Sequence, residues 1–230
     1  MVEPTHPSAA ARVAELRTAL APLANADRAP QMAAYMKDHF AYFGIKAAPR
    51  RQAQRTLVNA LKSATGDELI EFALACWAEP EREIQYTGSD ALRKHVALLD
   101  DGHLPALKTL IVSKSWWDTV DSLAVHTVGP VVARHPDLTA TMDAWIDDEN
   151  FWLARTAILY QLSYKERTDA DRLFGYVDRR AADTEFFIRK ALGWALRQYA
   201  RTDPDGVRTF VTEREGQLSG LTKREALKHL

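Results

Sequence analysis

The sequence predicts an all-α protein: a right-handed superhelical solenoid of HEAT-like antiparallel helix pairs, with a basic concave groove. Three observations carry that reading. Apolar residues recur at intervals of three and four, as in Ala91, Leu92, Val96, Leu98 and Leu99, or Leu104, Leu107, Leu110 and Ile111, which places them on one helical face. No useful stretch alternates with period two, and the Gly-rich hairpin signals of all-β chains are missing. A motif also returns at a fixed period. "WWDTVDSLA", "NFWLARTAI" and "TEFFIRKAL" each hold an aromatic pair within the first four positions and a charge at the sixth. Those sixth positions, Asp121, Arg155 and Arg189, lie 34 residues apart, and Thr87 one step earlier is a weaker match. A period in the mid-thirties belongs to helical-pair solenoids. The set positions of a TPR signature are not filled, which leaves the HEAT-like kind.

The elements follow in order. Residues 1–25 are expected to be partly irregular and to lead into the first helix, with 1–230 forming one domain. Helix-start signals then punctuate the chain: Thr65-Gly66-Asp67, Asp100-Asp101-Gly102, His135-Pro136-Asp137, Asp147-Asp148, Thr168-Asp169 and Thr202-Asp203-Pro204-Asp205. Between the second and third lies "SKSWWDTVDSLA", residues 113–124, which reads as a helix. Trp117 is four residues before Asp121, so their side chains share a face, and Trp116 shares another with Val120. The second face is the core candidate. Asp118 and Ser115 stand where a helix start can use them.

Composition bounds the rest. The chain of 230 residues is 47% apolar and 27% charged, which is globular rather than disordered. Its one cysteine, Cys76, sits in an apolar run and is expected to be a buried hydrophobe. No targeting or membrane-spanning run is visible, so a soluble, cytoplasmic monomer is expected. The net charge is −1, yet residues 28–62 hold seven bases against Asp38 alone, and residues 186–230 hold nine against five acids. Such segregation fits a basic face on a neutral body. The seven histidines show no metal-ligand spacing. Phosphate-loop, dinucleotide and nucleophile-elbow motifs are missing too, so no metal and no cofactor is expected.

Equivalent positions of successive repeats line up along one surface of a solenoid. Thr87, Asp121, Arg155 and Arg189 are therefore expected to form a row, with one acid beside two bases. "RKALGWALRQYA" repeats the aromatic–base design, with Trp194 three residues before Arg197. A carboxylate between two indoles is built to hold positive charge. Among arginines that grip phosphates, that cation would belong to a nucleic acid. Purines alkylated at N3 or N7 are cationic, and loss of such a base passes through an oxocarbenium-like sugar that a carboxylate stabilises. The alternative is a HEAT-repeat module that binds DNA or protein without chemistry.

"YMKDHFAYFGIKAAPRR", "REIQYTGSDALRKH", "SKSWWDTVD", "FWLARTAILYQLSYK" and "FFIRKALGWALRQYA" together resemble the AlkD-type DNA alkylation repair proteins, which are DNA glycosylases of HEAT-like repeats. The resemblance covers nearly the whole chain beyond the first two dozen residues. It implies excision of positively charged N3- and N7-alkylated purines from double-stranded DNA without metal or cofactor. Matched by motif, it implies Asp121, Trp117 and Trp194 as the catalytic cluster and Arg155, Arg197 and Tyr35 along the DNA. Arg189, Lys46 and Arg51 complete the expected DNA contacts. "GIKAAPRR" has Ala47 or Ala48 where the family commonly has a hydroxyl, and Lys46 is the substitute for that contact.

Overall fold

A computed structural model of the chain describes residues 7–230. Its regular elements are helical, with no strand among the described residues and an isolated bridge between Ala41 and Glu81. Contacts divide the chain into two compact units, the first ending at Lys114 and the second spanning Ser115–Leu230.

The first unit contains α1 (Ala9–Leu20), α2 (Ala29–Tyr35), α3 (Ala47–Ala60), α4 (Gly66–Ala78), α5 (Arg82–Lys94) and α6 (Leu104–Val112). Of the N-terminal segment expected to be partly irregular, residues 1–6 lie outside the described residues. The remainder of that segment is more regular than expected, because the Ser8 hydroxyl accepts from Ala11 N at 3.2 Å and starts α1 at once. Thr65 begins α4 with a full capping box: its hydroxyl accepts from Glu68 N, and Glu68 accepts from Thr65 N. The short link of residues 79–81 folds α5 back antiparallel on α4. Leu69, Phe72, Ala73, Ile84, Ala91 and Leu92 fill the shared core, and Cys76 is fully buried among them.

The loop before α3 is fastened from α5. Glu83, fully buried, accepts hydrogen bonds from Phe43 N, Gly44 N and Ile45 N at 3.1, 2.9 and 3.0 Å. Gly44 has φ +84°, and a Cβ there would meet Asn25 O at 2.2 Å, so no other residue fits this turn without strain. Lys46, the N-cap of α3, comes directly after this loop and is exposed.

The second unit contains α7 (Trp117–Leu123), α8 (Gly129–Arg134), α9 (Thr139–Trp145), α10 (Phe151–Leu159), α11 (Ala170–Arg180), α12 (Phe186–Tyr199), α13 (Pro204–Glu213) and α14 (Gly220–Ala226). Asp169 and Asp203 cap α11 and α13 through their side chains. Asp148 accepts from Asn150 N, and Asn150 caps α10. The helix expected over residues 113–124 starts only at Trp117. Trp116 is its N-cap in extended backbone, without a side-chain capping bond. Asp118 accepts from Thr119 N at 2.9 Å in the first turn, where a negative charge is favourable. A π-helical turn, Ala124–Val128, joins α7 to α8.

The 34-residue period is written into the side-chain bonds. Trp77 Nε1 donates to Leu110 O, Thr87 bonds Gln54, Tyr176 bonds Asp143 and Lys190 bonds Glu225, at separations of 33, 33, 33 and 35 residues. Within each unit, neighbouring repeats are pinned together by residues one period apart.

Candidate active site

Asp121 lies on α7 in the turn after Trp117, so the two side chains share a helix face. The same helix turns Val120 inward, where it is 1% exposed. Trp116 packs on the aromatic residues of the next two repeats, 6.0 Å from Trp152 and 5.1 Å from Phe187 between ring centroids. Trp152 and Phe187 are themselves 5.0 Å apart, and Phe151 stacks parallel to Phe187. Trp116, Phe151, Trp152 and Phe187, drawn from the aromatic pairs that define the repeat in sequence, thus form one packed cluster. They hold α7, α10 and α12 together beneath Asp121.

Opposite Asp121 stands Arg155. Its Nε donates to Asp121 Oδ1 at 2.7 Å and its second terminal nitrogen to Oδ2 at 2.8 Å, a two-pronged fork. Its remaining terminal nitrogen donates to Phe187 O. One guanidinium therefore ties α7, α10 and α12 through polar bonds where the aromatic cluster ties them through packing. Burial pushes the Asp121 carboxyl above the ordinary carboxylate range. The Arg155 hydrogen bonds and charge pull it back, and neighbouring Asp118 adds to the rise.

This geometry corrects two expectations. Arg155 is 3% exposed with its fork filled, so it braces Asp121 instead of reaching toward phosphates. Thr87, the weak member of the row, is fully buried and bonded to Gln54 Oε1 at 2.7 Å. Both residues face the neighbouring repeat rather than an open surface, because that contact is what holds repeats in register. Asp121 alone among these three keeps an appreciable opening, with 16% of its side chain exposed against 4% for Arg155.

On α12, Trp194 is half-buried, seven residues after Phe187, a spacing that returns to nearly the same helix face. Arg189 is half-buried and donates from Nε to Asp183 O at 2.7 Å. Arg197, expected along DNA, pairs with Glu225 of α14, which also takes Lys190 at 2.6 Å. These cations hold the Glu225 carboxyl below its ordinary range, the Lys190 hydrogen bond most of all. Gly193 lets α14 approach α12, since a Cβ there would meet Glu225 Cβ at 2.5 Å. Glu225 was missed in the sequence. Its one signal was an acid 35 residues after Lys190 in a chain whose period is about that length.

The remaining expected residues lie in the first unit. Tyr35 ends α2, is 72% exposed and borders a hollow with Arg28, Met32, Tyr42 and Tyr86. Lys46 and Arg51 are exposed at the start of α3. Among the described residues no three His, Cys, Asp or Glu side chains converge as a metal-ligand set, and no helix is long and apolar enough to cross a membrane.

An all-helical chain with HEAT-like repeats that holds an arginine-braced carboxylate is a helical-repeat protein with a charged pair fixed between neighbouring repeats. The family model for the DNA alkylation repair enzyme matches residues 16–230. The chain belongs to that family, and its role is in the repair of DNA alkylation. A predicted DNA alkylation repair enzyme from Enterococcus faecalis has a similar structure, with 34% identity, TM-score 0.84, and coverage of 90% of this chain and 96% of that one. A Streptococcus mutans UA159 protein shares the fold at 16% identity and TM-score 0.61, over 87% of this chain and 98% of its own. None of the curated proteins matches the chain in sequence.

Proposed function

We propose that the chain is a DNA glycosylase hydrolysing the N-glycosidic bond of positively charged N3- and N7-alkylated purines in duplex DNA. The observation that carries this reading is the Asp121 carboxylate. It occupies a repeat position that holds arginine in the next two repeats, is braced by one of those arginines, and shares a helix face with Trp117. A phosphate-binding row gains nothing from an acid there. A site for a developing cation does.

As the bond to a cationic base breaks, the base departs neutral and positive charge moves onto the sugar. Asp121 stabilises that charge and orients the attacking water. Trp117 and Trp194 present indole faces to the cationic nucleotide. Tyr35, Lys46, Arg51 and Arg189 contribute contacts along the DNA. No general acid for the leaving group is required, so neutral lesions such as uracil are not substrates. The Asp121–Arg155 fork supports this role, because a reactive carboxylate must be held in one orientation to act on the substrate it meets.

The test is purine release from N7-methylguanine duplex under single-turnover conditions. Asp121→Asn is expected to lower the rate by orders of magnitude while duplex binding persists. Equal rates in the variant and the parent would remove Asp121 from the mechanism. Binding without release by the parent would leave a HEAT-repeat module that only recognises DNA.

A further inference from the structure

We infer that Glu225 of α14 is a specificity-determining residue: it holds Lys190 and Arg197 away from the Trp194 indole and so keeps that indole open to a cation from the substrate. The inference deepens, and rests on, the reading of Trp194 as a contact for a cationic nucleotide.

Lys190 lies four residues before Trp194 on α12, and Arg197 three after it. Both side chains are therefore neighbours of the indole on the helix surface. A base at that spacing is placed to lie over the ring, within about 6 Å of its centre. The chain uses such contacts elsewhere: Arg82 Cζ stands 3.7 Å from the centre of the Phe40 ring and Arg214 Cζ 4.0 Å from that of Phe210. Among the described residues neither base stacks on Trp194. Each donates to a different oxygen of Glu225 instead, Lys190 Nζ to Oε1 at 2.6 Å and Arg197 to Oε2.

The placement of Glu225 serves α12 rather than its own helix. It sits in the last turn of α14, where the helix dipole disfavours an acid. Its partner helix is built to receive it. Gly193, next to Trp194, leaves room for the Glu225 Cβ, and the Thr222 hydroxyl of α14 donates to Arg189 O at 3.1 Å. The Lys190 hydrogen bond above all holds the Glu225 carboxyl below its ordinary range, so its charge persists at neutral pH. Two bases and one acid leave a single positive charge beside the indole. Without the acid there would be two, both able to swing over the ring and to repel a cation approaching it. An aromatic face that is to meet a cationic substrate must first be kept clear of the protein's own cations.

The experiment reads Trp194 fluorescence in the full chain with N-methylpyridinium, a cationic quencher, and acrylamide, a neutral one. Each protein is compared with its own Trp194→Phe counterpart, so that the difference belongs to Trp194. Glu225→Gln should lower the ratio of cationic to neutral quenching about threefold, the effect of one unit charge at about 10 Å with an effective dielectric of about 50. Lys190→Met with Arg197→Met, which keeps the acid, should raise the ratio above the parent's. Adding Glu225→Gln to that pair should bring it back toward the parent's. An unchanged ratio in Glu225→Gln overturns the inference. So does a lowered ratio that persists when Lys190 and Arg197 are also replaced, which would leave Glu225 as a tether for α14. Single-turnover release of N7-methylguanine should fall in Glu225→Gln by a similar factor. A parent protein that shows the quenching pattern but releases no purine would remove the glycosylase reading and leave the guarding of Trp194 by Glu225 standing.

Discussion

Replacing Arg155 by methionine removes the fork but keeps an unbranched side chain of similar reach. The loss has two parts. Asp121, with 16% of its side chain exposed, is left as an unpaired carboxylate, and Phe187 O loses a donor. Breaking a buried ion pair from one side costs about 3–5 kcal/mol, and the residual opening at Asp121 places this case near the lower end, about 3 kcal/mol. For a chain of this size that is a fall in Tm of about 6–12 °C. The catalytic effect is separate. Without its brace the carboxylate is no longer held in one orientation, and misplacement of about 1 Å can lower a rate 100-fold. Its pKa also rises further once the Arg155 bonds that pull it down are gone. Thermal melts, single-turnover release of N7-methylguanine and duplex binding should therefore separate cleanly. Stability and rate should fall while affinity and its salt dependence stay near the parent's. An Arg155→Met variant with parental melting and excision, but a salt slope reduced by about one, would refute the brace and return Arg155 to the DNA.

The pH dependence of excision offers a second check. On the proposed mechanism excision requires ionised Asp121, whose pKa lies above the ordinary aspartate value chiefly through burial; the single-turnover rate should fall on acidification before the ordinary aspartate range is reached, and a rate that stays flat down to that range, about 3.9, would speak against the assignment. In stability the sign is opposite: a carboxyl with a raised folded pKa favours the folded state when protonated, so its contribution weakens as pH rises from its unfolded to its folded value. Gly44→Ala should destabilise the first unit by more than about 1 kcal/mol, since it meets both a positive φ and Asn25 O. Chemical denaturation would check this, and a neutral result would mean that the loop before Lys46 relaxes freely.

The helix starts were legible because they depend on neighbours in sequence. Thr65, Asp169 and Asp203 cap the helices they were expected to cap, since a side-chain oxygen reaches an amide two or three residues on whatever lies beyond. The delayed start of α7 was not legible. Trp116 is drawn out of the helix by its packing on Trp152 and Phe187, contacts made with residues more than thirty positions away.

The repeat itself was a property of the sequence: aromatic pairs and a charged position recurring at 34 residues fix the helical-repeat fold, and the inward Val120 and outward Asp121 follow from helical spacing. Charge alone could not say which partner each charged residue would take. Asp121 and Arg155 were visible as equivalent positions of opposite sign, yet equivalence suggests a row of neighbours facing the same way. Only the tertiary structure decided that one period of separation is a bonding distance, so that the arginine is consumed as the acid's brace. Lys190 and Glu225, 35 residues apart on α12 and α14, meet in the same way, and Glu225 takes Arg197 as well. Sequence spacing sets which faces the helices present; packing sets how closely those faces meet, and at hydrogen-bond distance an ion pair replaces a binding surface.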